Sequence, residues 1–234
     1  MSITGKIHSI ETLGALDGPG LRTVVFLQGC PLRCIYCHNP DTWEAKGGEK
    51  ITSGQLVEKI KRFKPYFKES GGVTLSGGEP LLQGDFCEDV AIRCKQENIS
   101  TAIDTSGFIL HKKAVDAADL IILDIKHTNP GQYKQLTGAD IGRSLEFLEY
   151  CKETKKPLWI RQVILTGIND NKESIRELAE VIKGANVKKI ELLPYHKMGV
   201  EKWKQLGLSY TLKDMESPSS QKIEELYGYL MPAE

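Results

Sequence analysis

Cys30-Pro31-Leu32-Arg33-Cys34-Ile35-Tyr36-Cys37 brings three thiols onto one short stretch, spaced Cys-x3-Cys-x2-Cys. The stretch follows an apolar run, Val24-Val25-Phe26-Leu27, and has a proline and no regular periodicity, so it reads as a loop delivered by a strand. Thiolates so close together can converge on one soft metal centre. Iron–sulfur clusters are usually held by four cysteines, and the next cysteine here is the distant Cys87. Three protein ligands on a four-iron cube leave one iron with an open position, and an open position marks a metal site that does chemistry. Two blander readings compete. A structural zinc site with His38 as fourth ligand would need the adjacent Cys37 and His38 to reach one tetrahedral ion, and it lacks the usual second ligand pair. The other is a set of half-buried free thiols.

With an aromatic residue before its third cysteine, the spacing resembles the signature of the radical S-adenosylmethionine (SAM) enzymes. Asp17-Gly18-Pro19-Gly20, Gln28-Gly29-Cys30 and Tyr36-Cys37-His38-Asn39 are similar to the glycyl-radical-enzyme activases within that family. The resemblance runs over nearly the whole chain. It implies a [4Fe–4S] cluster on Cys30, Cys34 and Cys37, with SAM chelated at the open iron. It also implies a reductant such as flavodoxin, reductive cleavage of SAM, and removal of a Cα hydrogen from a glycine of a partner enzyme. Some relatives carry a ferredoxin-like insert with extra cysteines. None lies between Cys37 and Glu79 here, which favours the short activases that serve pyruvate formate-lyase in anaerobic glucose metabolism. The alternatives are a different glycyl radical enzyme as partner or, in another class, a noncatalytic iron–sulfur or zinc protein.

The same resemblance assigns roles further along the chain. Ser76-Gly77-Gly78-Glu79-Pro80 follows a short strand, and two consecutive glycines let backbone come close to a ligand. The family's Gly-Gly-Glu segment binds the amino group of SAM, which implicates Gly77, Gly78 and Glu79. Asp104 and the Asp124-Ile125-Lys126 segment end apolar strands, where charges are costly unless paired or ligand-bound. By resemblance Asp104 and Ile125 contact SAM, and Asp124 and Lys126 contact SAM or sit near the reacting carbon. Tyr36, Cys37, His38 and His196 (in Leu193-Pro194-Tyr195-His196) match further SAM contacts. Asp104, Thr105 and Asp124 match a monovalent-cation site beside SAM. Asp17 matches a residue beside the partner's glycine loop, although by itself it reads as a turn residue. Arg161 stands in an apolar run and could face either the site or the outer surface.

Elements able to position these residues recur along the chain. Apolar strands are expected near 22–28, 73–75, 101–104, 120–125, 158–164 and 189–193, with a shorter one at Lys6–Ile10. Helices are expected after capping boxes at Thr52–Gln55 and Asp170–Glu173, near 142–155, and from about 218. Cys87, Val90, Ala91 and Cys94 form one helical stripe, and Cys151 falls in line with Leu148, so these cysteines read as packing residues. The tail from 197 shows no obvious chemistry. Alternating strands and helices argue α/β architecture with a parallel sheet. Every candidate lies at or just after a strand's C-terminal end, where barrel enzymes place their sites. Six units fit a partial (β/α)6 TIM-like barrel with an open side, the radical SAM fold, as a single domain over residues 1–234 with an N-terminal extension and a C-terminal helix.

Composition narrows the partners. The 31 basic and 31 acidic residues balance, which gives no general electrostatic case for nucleic acid or anionic membranes. No signal pattern or membrane-length apolar run is present. The six cysteines suit a reduced cytoplasm, and the absence of heptads is compatible with a monomer.

Overall fold

The structure, a computed structural model, describes residues 2–230. Strands β1 (Thr4–Gly14), β2 (Arg22–Leu27), β3 (Glu49–Thr52), β4 (Gly72–Gly77), β5 (Ser100–Thr105), β6 (Leu120–Asp124), β7 (Leu158–Ile164) and β8 (Val187–Pro194) form one sheet. Its order is β3-β1-β2-β4-β5-β6-β7-β8. All six expected apolar runs are there, parallel and adjacent in chain order. Two antiparallel strands extend the β2 side. The expected strand at Lys6–Ile10 is longer than its apolar residues suggest, because β1 pairs with a partner on each side. Its outer partner β3 reads Glu-Lys-Ile-Thr with only Ile51 buried, the polar character expected of an edge strand.

Side chains alternate between the two faces of a strand. On one face, Val73, Leu75, Ile103, Ile121, Leu123, Leu158 and Ile160 join the main core beneath the helices. Ala102, Leu120, Ile122 and Trp159 form a separate small cluster on the other face. Continuing that second face toward the strands' C-terminal ends gives Ser76, Asp104, Asp124 and Arg161. The same period that fills the core therefore brings polar groups together at one end.

The sheet curls into a partial barrel. Arg161 Nη2 on β7 donates to the carbonyl of Leu16, in the turn after β1, although four strands separate β7 from β1. At the start of β2, the fully buried Arg22 stitches the barrel floor together. Its Nε donates to Thr74 Oγ1 at 2.7 Å and its Nη2 to the Val73 carbonyl at 2.7 Å. Thr74 Oγ1 in turn donates to the Asp17 carbonyl at 2.6 Å, which fixes the Asp17–Gly20 turn.

Helices α1 (Ser53–Lys61), α2 (Lys64–Phe67), α3 (Gly84–Gln96), α4 (Lys112–Ala117), α5 (Pro130–Thr137), α6 (Gly142–Glu153) and α7 (Lys172–Val181) fill the connections between strands. α1 starts at the expected capping box of Thr52 and Gln55. The expected box at Asp170–Glu173 does not form. Asn171 caps α7 alone by accepting from the Ser174 amide, while Asp170 accepts from the Gly167 amide at 2.8 Å, so the two neighbouring polar residues divide the work. Cys87, Val90, Ala91 and Cys94 are all buried on α3, and Cys151 is buried beside Leu148 on α6. Two further helices, α8 (Val200–Gln205) and α9 (Ser220–Gly228), follow β8. α9 covers the β8 edge, where the Leu192 amide donates to Tyr227 Oη at 2.8 Å. Among the described residues, no helix is long and apolar enough to cross a membrane.

Candidate metal and cofactor site

The cysteine loop leaves β2 and is held by backbone on three sides. The Cys30 amide donates to the Trp43 carbonyl at 3.1 Å. The Arg33 and Ile35 amides donate to the carbonyls of Thr137 and Leu136, each at 2.9 Å. Those two carbonyls end α5, where a helix has no partners of its own for its last acceptors, so loop and helix end satisfy each other. On the third side, β4 runs out through Gly77 and Gly78. The Gly78 amide donates to the Leu27 carbonyl at 3.0 Å and the Glu79 amide to that of Gly29 at 2.8 Å. Gly77 has φ +107°, and a Cβ there would run into the Leu27 backbone; at Gly78 one would strike the Gly29 carbonyl. The two glycines thus allow β4 to lie against the segment that launches Cys30.

All three thiols face one cavity of about 280 Å³, the scale of a small-molecule site. Tyr36, His38, Gly77, Gly78, Asp104, Thr105, Asp124, Lys126 and His196 line it too. So do Ser76, Trp43 and Arg161, which the sequence left unassigned or undecided. Arg161 faces inward, its side chain only 9 % exposed, bridging Glu191 at 2.7 Å and Asp104 at 3.4 Å. Lys126 Nζ pairs with Asp124 Oδ2 at 2.5 Å and lies 5.6 Å from the centre of the Tyr36 ring. His38 and His196 stack with ring centroids 4.1 Å apart, and His38 Nε2 is 3.0 Å from the His196 carbonyl oxygen. Burial holds the His38 pKa below the ordinary imidazole value.

Three expected site residues lie outside that lining. Glu79 is buried and fully engaged. Its carboxylate accepts from Thr105 Oγ1 and Ser106 Oγ, both at 2.6 Å, and from the amides of Ser106 and Leu81. Burial nevertheless pushes its pKa up. It ties the end of β5 to the Gly-Gly turn, so it shapes the wall. Ile125 packs against the main core. Its backbone bridges to β7, the amide donating to the Arg161 carbonyl at 2.8 Å and the carbonyl accepting from Gln162 Nε2 at 3.2 Å. Asp17 lies in the turn before β2, its carbonyl held by Thr74 Oγ1. Burial raises its pKa, and Arg161 acts against that rise. Asp17 and the cavity therefore share Arg161 as an electrostatic neighbour.

The donor set fits an iron–sulfur cluster. The six cysteines are all free, and three of them converge on the cavity. No fourth cysteine is in the lining. Burial pushes Cys30 and Cys34 up to about 12, with Lys126 pulling both back down, so a metal must displace protons to bind here. Two buried oxygens among the residues that line the cavity, Asp124 Oδ1 and Tyr36 Oη, have no protein partner. Unpaired buried polar atoms of this kind call for a ligand or water.

The family model of the Radical SAM superfamily matches residues 24–182. The pyruvate formate-lyase-activating enzyme of Clostridium pasteurianum is 48 % identical over 232 residues, covering 97 % of this chain and 98 % of that one. This chain belongs to the radical SAM superfamily, among the pyruvate formate-lyase-activating enzymes. The corresponding enzyme of Staphylococcus epidermidis is 44 % identical, with 97 % of this chain and 96 % of that one covered. Among solved structures, Streptococcus suis SuiB bound to its precursor peptide SuiA superposes with a TM-score of 0.69 at 19 % identity, over 92 % of this chain and 46 % of that chain. That likeness concerns the fold alone, and it agrees with the partial barrel of mostly parallel strands.

The tail is where the sequence reading needs correction. It suggested no chemistry after residue 197, yet α8 lies against the cysteine loop. Trp203 Nε1 donates to the Cys37 carbonyl at 2.8 Å, and Lys202 Nζ reaches Asn39 Oδ1 at 2.8 Å. A six-residue helix is too short to show a periodic pattern.

Proposed function

We propose that this protein activates pyruvate formate-lyase by leaving a radical on one of its glycines. The observation that carries this reading is the convergence of Cys30, Cys34 and Cys37 on one cavity, in a chain 48 % identical over almost its full length to a pyruvate formate-lyase-activating enzyme. Cys30, Cys34 and Cys37 would hold a [4Fe–4S] cluster, which, when bound and charged by an external reductant, would supply the one-electron chemistry for cleaving SAM and so for removing the glycine Cα hydrogen.

The chain's own residues bind, orient and shield. The backbone of Gly77 and Gly78, with Asp104, receives the amino group of SAM. Asp124 and Lys126 present a carboxylate and an ammonium to its polar end, and Tyr36, His38 and His196 form the wall against its nucleoside. Asp104, Thr105 and Asp124 offer oxygens for a monovalent cation. Asp17, coupled to Arg161, faces the incoming glycine loop. No side chain is required as an acid or base for hydrogen-atom removal. Flavodoxin is the proposed electron donor, and the protein is proposed to work as a cytoplasmic monomer.

The test is an anaerobic EPR experiment on reconstituted, reduced protein mixed with SAM and pyruvate formate-lyase. A glycyl radical doublet on the partner is the expected result. A cluster signal that responds to SAM without a glycyl radical would keep the radical chemistry and remove the partner. Absence of any cluster signal would remove the reading altogether.

A further inference from the structure

Cys37 is the last of the three thiols, and no regular element carries it. The nearest helical segment in sequence is a single turn at Pro40–Thr42. What surrounds Cys37 instead is a pair of indoles. Trp203, 7 % exposed, donates its ring N–H to the Cys37 carbonyl at 2.8 Å. Trp43 lines the cavity and meets Trp203 edge-on, with centroids 5.1 Å apart and planes at 86°. Trp43 is in turn held from both directions. Its carbonyl accepts from the Cys30 amide at 3.1 Å, and the Arg33 guanidinium lies 5.1 Å from its ring centre. Tyr210 closes the far side of Trp203, edge-on at 5.1 Å. A buried indole N–H needs a partner, and that of Trp203 takes the Cys37 carbonyl.

We propose that Trp203 is a positioning residue for Cys37, fixing its carbonyl, with Trp43 braced edge-on against the Trp203 ring. The proposal rests on the cluster reading above. Trp203 therefore sets where the third ligand stands.

The test uses the full chain with Trp203→Phe. In metal-free protein, hydrogen exchange is followed over residues 37–43. Trp203→Phe should speed it by about fivefold, the effect of losing one hydrogen bond of ordinary net strength. If Trp203→Phe does not fold, a tryptophan analogue with sulfur in place of the ring N–H keeps the shape and removes only the donor. Unchanged exchange over residues 37–43, in protein that takes up iron and sulfide on reconstitution, overturns the proposal and leaves the proposed function standing. A parent protein that takes up no iron and sulfide overturns both.

Discussion

The three thiols are equivalent in need and unequal in support. Cys34 is the most buried and stands on backbone tied to α5, whereas Cys30 and Cys37 are partly exposed at the cavity. Each would still supply one of only three ligands. Replacing any one by Ala is therefore expected to abolish SAM cleavage, read as 5′-deoxyadenosine formed under dithionite; full activity in any of the three would refute the ligand assignment. Lys126 allows a sharper test. Among the described residues it is the single hydrogen-bond partner of Asp124 Oδ2, and the other oxygen of that carboxylate is unpaired. Breaking a buried pair leaves the remaining charge uncompensated, at a cost of about 3 kcal/mol. Lys126→Met should lower the urea midpoint of metal-free protein accordingly, and Lys126→Met with Asp124→Asn should recover part of the loss. The inward aim of Arg161 was not legible, because a lone arginine in an apolar strand satisfies either face. The register that sets it between Asp124 on β6 and Glu191 on β8 decides the matter.

Among the elements, the parallel strands were legible from the apolar residues each carries, and β3 was not because it is short and polar. The start of α1 was legible because Gln55, three residues after Thr52, completes a reciprocal box with it. Asp170 and Asn171 stood side by side, and only the structure assigns the cap to Asn171. Removing the Thr52 hydroxyl with Thr52→Ala should cost about 1 kcal/mol in chemical denaturation. The neighbouring Ser53, Ile3 and α3 meet at Asp89, which yields a pH prediction. Burial disfavours the Asp89 carboxylate, but hydrogen bonds from Ser53, Arg93 and the Ile3 amide outweigh it and hold the pKa below the ordinary carboxylate range. A depressed folded-state pKa contributes stability above the unfolded value, about 3.9, that is lost as the pH falls through the folded value. Asp89→Asn should lower stability at neutral pH and flatten its decline below about pH 4. An unchanged acid limb in the variant would show that the carboxylate is not held as described.

At the scale of the whole molecule, curvature turns a sheet into a site. The polar ends of β4 to β7 would lie side by side on a flat sheet, but the curl draws Leu16, Asp17 and Arg161 together across the barrel. That convergence was legible only as a rule about strand ends, because no local pattern encodes a contact between residues 16 and 161. The partial barrel also leaves an edge at β8, and α9 closes it through Tyr227 and the buried Leu226. Tyr227→Phe removes the acceptor for the Leu192 amide and should cost about 1 kcal/mol. An exchange rate at the Leu192 amide that is the same in parent and variant would deny that bond.

The cysteine loop emerges from the ribosome early, but what holds it is made late. Its amides wait for the carbonyls of Leu136 and Thr137, and Cys37 waits for Trp203, 166 residues downstream. Until those residues exist, the loop has only its early holds at Trp43, Gly78 and Glu79, and a chain cut short before α8 would leave Cys37 without its bond from Trp203 even with every cysteine in place.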